Sequence, residues 1–154
     1  MNFTRAKGLG GLIGWTPGED RYLGFQPRHA AWTGDFERFK KSNGTVRFEV
    51  EANGVRQLDE LLRLCQAQGI RVLLVYSPVY YEMQALEGNR DEIFARFGEL
   101  AARYGATLWD YSHSPVSLRK DYFYNSQHLN AEGAAVFSDE FARALAASTL
   151  VAQK

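Results

Sequence analysis

The stretch Gly69-Ile70-Arg71-Val72-Leu73-Leu74-Val75-Tyr76-Ser77-Pro78 decides the fold class. From Ile70 to Tyr76 it is a nearly unbroken β-branched and aliphatic run, with Arg71 its one charge. A strand without alternation is one covered on both faces, the habit of parallel sheets. The run ends at Ser77-Pro78, where proline withdraws a ladder donor. Upstream, Val55, Leu58, Leu61, Leu62 and Cys65 recur at helical spacing, and Gly69 supplies the C-terminal stop. Downstream, Asn89 is placed to cap a helix over about 90–104, with Asp91 and Glu92 at its positive end. Ile93, Phe94, Phe97, Leu100, Ala101 and Tyr104 form the expected buried face. Gly105 then stops the helix, and Thr107-Leu108-Trp109-Asp110-Tyr111 reads as the next strand. A polar loop runs on to His128, and Asn130 caps a last helix with Val136, Phe137, Phe141 and Leu145 inward. Helix, strand, helix, strand, helix is an α/β order, and a right-handed crossover makes the two strands parallel neighbours.

Around this frame the composition is that of one globular domain. The chain has 154 residues, of which 45% are hydrophobic and 14% aromatic. Its 18 Lys+Arg and 18 Asp+Glu cancel. That balance, with a pI of about 6.8, argues against nucleic acid as a partner, since such proteins carry a basic face. No apolar run is long enough to span a bilayer, and no signal peptide opens the sequence. The single cysteine, Cys65, excludes an internal disulfide framework. His29, His113 and His128 lack metal-site spacing, so neither a metal nor a cofactor is expected. Nine of the 14 glycines fall within the first 54 residues. Residues 1–44 are read as an irregular Gly-rich segment with a short helix near Asp35–Lys41, and residues 45–150 as the α/β region. Thr45–Glu49 alternates and reads either as a short strand or as the lead-in to a helix.

In open α/β sheets, sites form beyond the carboxyl ends of the strands. Two segments meet that condition: Tyr76-Ser77-Pro78, and the loop from Asp110 to Asn130. The second puts His128 two residues before a helix N-cap, where a general base can reach a nucleophile on a neighbouring strand. The alternative is that His128 caps the helix or packs under the aromatic residues around it. Tyr76, Tyr80, Tyr81, Tyr111, Tyr122, Phe123 and Tyr124 border the same crevice. They are explained by core packing or as the lining of an acyl or sugar pocket. Ser77, Tyr80, Tyr124 and Asn130 are the candidate binding residues.

The run Asn125-Ser126-Gln127-His128-Leu129-Asn130-Ala131-Glu132-Gly133-Ala134 resembles the last block of the SGNH/GDSL hydrolases. In that block an Asp, two variable residues and a His precede Leu-Asn and a helical glycine. The likeness extends over roughly residues 55–145, with His-Leu-Asn-x-x-Gly-Ala its specific part. It implies a partial flavodoxin-like, three-layer α/β/α fold with a short parallel sheet. It further implies ester hydrolysis or O-acyl transfer on a small-molecule or carbohydrate ester. His128 would be the general base and residue 125 its orienter. Relatives of this kind are often associated with the bacterial envelope, whereas the absence of a leader signal points by default to the cytoplasm.

Two departures bear on that expectation. The orienting residue is Asn125, which accepts a hydrogen bond but brings no charge. The Gly-Asp-Ser block is absent, and no serine precedes Ser42. Ser77 stands at a strand end, but Pro78 removes the following N–H that an oxyanion hole uses. Ser112, Ser114 and Ser126 share the loop of His128 without a strand-to-helix elbow behind them. The expectation is therefore the C-terminal portion of a larger fold, or a degenerate, non-catalytic α/β binding module. A homodimer that completes the sheet through exposed edges is the further alternative. Gly8–Gly14 fails as a phosphate loop because no strand precedes it and no Lys-Ser/Thr follows.

Overall fold

The computed structural model describes residues 25–150. Among them are five α-helices: α1 (Asp35–Ser42), α2 (Ala52–Ala67), α3 (Tyr81–Gln84), α4 (Arg90–Tyr104) and α5 (Ala131–Ala147). β1 (Leu73–Tyr76) and β2 (Thr107–Asp110) pair in parallel, with Leu74 opposite Leu108 and Tyr76 opposite Asp110. A second, antiparallel pair joins β3 (Phe123–Asn125) to β4 (His128–Leu129). The chain is thus mixed α/β around a short parallel sheet, and both expected strands are present in shortened form. None of the described helices is long and apolar enough to cross a membrane.

The apolar run at Leu73–Tyr76 makes a strand covered on the face toward α4, whereas Val75 on the other face is 39% exposed, so the expected burial on both faces is not complete. Side chains alternate across the sheet. Tyr76 faces α4, its ring 4.9 Å from that of Phe94. On the opposite face α5 lies against β2 through Trp109, whose ring is 5.9 Å from Phe141, and Tyr111, 5.0 Å from Phe137. Gly69 and Gly105 end α2 and α4 with φ of 66°, a conformation that glycine adopts without a Cβ clash. Within α2 the buried side chain is Leu62, whereas Leu61 is 56% exposed and leaves the expected inward face. Val136 of α5, also expected inward, is 39% exposed.

The largest buried cluster lies beyond the strand ends rather than under the sheet. Phe36, Val79, Tyr80, Met83, Val116 and Phe123 form it, with Trp32, Phe39 and Phe48 packed against it. Residues on both sides of position 44 therefore share one core. The short helix expected near residue 35 is α1, and Phe36 anchors it. Thr45–Glu49 forms no strand: Val46 makes a single bridge to Glu87, and Phe48 is tied on both its N–H and C=O to the Asn89 amide, at 2.9 and 2.8 Å. Asn89 does stand at the N-cap of α4, but its side chain serves Phe48 instead of the helix. Lys40 joins α1 to α3 through Glu82, whose other carboxylate oxygen accepts from the buried Tyr80 hydroxyl at 2.9 Å.

Two predictions follow from this packing. Gly133, near the N-terminus of α5, leaves no room for a methyl, which would meet Tyr122 Cβ at 2.7 Å and collide with the Tyr122 carbonyl oxygen. Gly133→Ala should therefore lower stability by about 3 kcal/mol in urea unfolding. Gly98→Ala, where a methyl meets nothing, should raise it by about 0.5–1 kcal/mol. Second, the Lys40 ammonium holds the Glu82 carboxyl below its ordinary range, the Tyr80 hydroxyl adding to the effect and burial opposing it. A carboxyl lowered in the folded state stabilises above its unfolded pKa, and that contribution is lost as pH falls through the folded value. The stability gap between the native chain and Glu82→Gln should be full at pH 7 and close below pH 4.5, the ordinary value for this carboxyl.

Candidate functional site

The β3–β4 hairpin, hidden in what reads as a polar loop, positions the histidine. Its turn is built on the Asn125 side-chain oxygen, which accepts from the backbone N–H of Gln127 at 3.0 Å and of His128 at 2.9 Å. The same oxygen lies 2.9 Å from His128 Nδ1. Because it already receives two backbone N–H groups, this atom is an acceptor, so Nδ1 carries the proton and the neutral ring has its lone pair on Nε2. Tyr124 stacks on the imidazole at 5.6 Å with 21° between the planes. His128 is thus oriented along one edge and one face while remaining exposed.

Behind it, Asn130 sets the helix. Its Oδ1 accepts from Gly133 N–H at 2.9 Å, and its Nδ2 donates to the Asp121 carbonyl at 2.6 Å. The oxygen caps α5 while the nitrogen ties the helix start to the Asp121 backbone, which gives the Asn-x-x-Gly spacing a structural reason. Tyr80, the third candidate, is 5% exposed within the core, and burial pushes its hydroxyl well above the ordinary range, Glu82 adding to the shift. Its backbone N–H donates to the Ser126 carbonyl at 3.1 Å and so ties the exit of β1 to the histidine turn. Ser77 is exposed at the end of β1. Among the described residues no serine hydroxyl bonds to His128.

A cleft of about 340 Å³ opens beside the imidazole, with Tyr76, Val79, Arg90, Phe94 and Gln127 among its walls. A second hollow of about 390 Å³ lies beyond Phe48 and Gln127, lined by Trp32, Phe36, Phe39 and Met83. Sequence reasoning took Arg90 only as the start of a helix, yet it is the cleft's central charge. Its guanidinium reaches the Tyr76 hydroxyl and Glu87 at 3.1 Å each, Asp110 at 3.6 Å, and the Ser112 hydroxyl. It also stands over the Phe94 and Tyr76 rings, at 4.3 and 4.8 Å from their centres. Asp110, at the carboxyl end of a strand where sites form, was the available signal, although it is itself exposed. Burial raises the Tyr76 hydroxyl above its usual range, opposed by the bond from Arg90. Among the described residues no three His, Cys, Asp or Glu side chains stand together as a metal site.

Comparison with protein-family models, with curated proteins and with solved structures gives no match to this chain. The reading of the site therefore rests on its own geometry.

Arg90→Gln should lower stability by about 2 kcal/mol, because the largely buried Glu87 loses its cation and the exposed Asp110 a weaker partner. Urea unfolding measures the loss.

Proposed function

We propose that this chain carries the base-bearing part of an SGNH-like ester hydrolase or O-acyl transferase site, on a flavodoxin-like α/β/α arrangement. The nucleophilic serine is then supplied from outside these 154 residues. The observation that carries this reading is the Asn125–His128 contact, which in the neutral ring keeps the lone pair on Nε2, beside a mostly apolar cleft. Such a nitrogen takes the proton of an attacking hydroxyl as the oxygen–acyl bond forms, and returns it to the leaving oxygen as that bond breaks. Asn125 supplies the orientation of an orienting carboxylate without its charge. In the serine-protease template the loss of that charge costs roughly 10⁴ in turnover. A neutral partner at 125 and a histidine without a serine favour a second reading, a non-catalytic module that binds a small ester or sugar in the same cleft.

The two are separated with p-nitrophenyl acetate, an activated ester that imidazole attacks without help from serine. Nε2 bonds to the acetyl carbon, p-nitrophenolate leaves, and water then hydrolyses the acetyl-imidazole. The native chain should exceed His128→Ala by about tenfold, and Asn125→Asp should exceed the native chain. Equal rates for the native chain and His128→Ala discard a reactive imidazole at 128, and with it the catalytic reading, and leave the binding module.

A further inference from the structure

The outer flank of α2 is uncharged and exposed. Leu61 and Leu64 are 56% and 52% exposed, and Gln57 and Gln68 extend the same stripe with exposed side chains. Asp59, on the other side of the helix, bonds to Arg103 of α4 at 2.8 Å. At about 100° per residue, Leu61 and Leu64 lie about 160° and 140° round from Asp59, so the stripe faces away from α4.

The stripe also has an internal symmetry. Its positions 57, 61, 64 and 68 are spaced four, three and four apart, the spacing of a packing seam between helices. The order Gln, Leu, Leu, Gln reads the same in both directions about the midpoint between Leu61 and Leu64. A two-fold axis through that midpoint places Leu61 opposite Leu64 of a second copy, and Gln57 opposite Gln68. An isologous interface requires this self-complementarity. Charge does not oppose it: Arg56, Asp59, Glu60 and Arg63 fall outside the seam, and the chain has zero formal net charge.

We propose that α2 is a self-association surface, packing antiparallel on α2 of a second copy across a two-fold axis. The Leu61–Leu64 pairs form the centre of the interface and the glutamines its rim. The contact is small, so association is in the micromolar range. It does not depend on the catalytic reading.

Sedimentation velocity of the full chain over about 5–500 μM should show the mass rising from 17.4 kDa toward twice that value. Leu61→Lys and Leu64→Glu should each hold the chain monomeric throughout, with an unchanged circular dichroism spectrum because both side chains are exposed. The double variant Leu61→Lys/Leu64→Glu places lysine opposite glutamate in both pairs and should restore the dimer. In a parallel pairing it would set like charges together. A native chain that stays monomeric overturns the proposal and gives the flank to another occupant. A dimer indifferent to either single change overturns the seam, and a double variant that stays monomeric overturns the antiparallel register.

Discussion

One guanidinium holds the carboxyl ends of the sheet in register with the helix between them. Arg90 sits in the first turn of α4 and reaches the Tyr76 hydroxyl at the end of β1, Asp110 at the end of β2, and Ser112 just beyond. A four-residue parallel pair has few ladder bonds of its own, and small sheets are marginal without cover. A cation shared among groups from both strands and the crossover helix fixes where the strands stop. The cleft beside His128 has its position for that reason. Arg90 is fully engaged by Glu87, Asp110 and two hydroxyls, so the cleft presents aromatic and aliphatic walls rather than a free positive charge.

The histidine turn is anchored separately and from the other side. Asn125 organises the hairpin turn, Asn130 caps α5, and Gly133 allows the helix to approach Tyr122 within what a methyl would occupy. Much of the His-Leu-Asn-x-x-Gly pattern is therefore a device for packing a helix start against a hairpin. Only Asn125 and His128 remain for chemistry, which explains how a family-like block can occur whether or not the chain is catalytic.

The periodic part of the chain was legible because its cause is local. Continuous apolar residues made β1, 3.6-residue spacing made α2, α4 and α5, and Gly69 and Gly105 marked two helix ends. Asn125 and His128 were legible as a pair because three residues of a tight turn bring them together. What stayed hidden depends on contacts distant in sequence. The cage around Arg90 joins positions 76, 87, 90, 110 and 112, and Phe36 enters a core with Phe123 across 87 residues of chain. Leu61 matched the helical period yet lies outside the buried face, since apolar spacing does not say how wide a stripe the partner element covers. The hairpin at 123–129 was missed for another reason. Its strands are only three and two residues long, below the length at which alternation can be seen.

The amide at 125 makes more sense once the cleft's charges are counted. Glu87 and Asp110 face a single cation, Arg90, so the group carries a formal charge of −1. A carboxylate at 125 would add another negative charge to the same end of the sheet. It would keep the hydrogen bonds to Gln127 and His128 that the turn needs. The amide oxygen makes those bonds equally well and leaves the existing charges undisturbed. In the serine-protease template orientation and charge compensation are joined in one aspartate, and an amide at 125 keeps the first without the second. Asn125 orients the ring through its side-chain oxygen. An Asn at 125 therefore serves the turn and the ring orientation without adding charge to the sheet end.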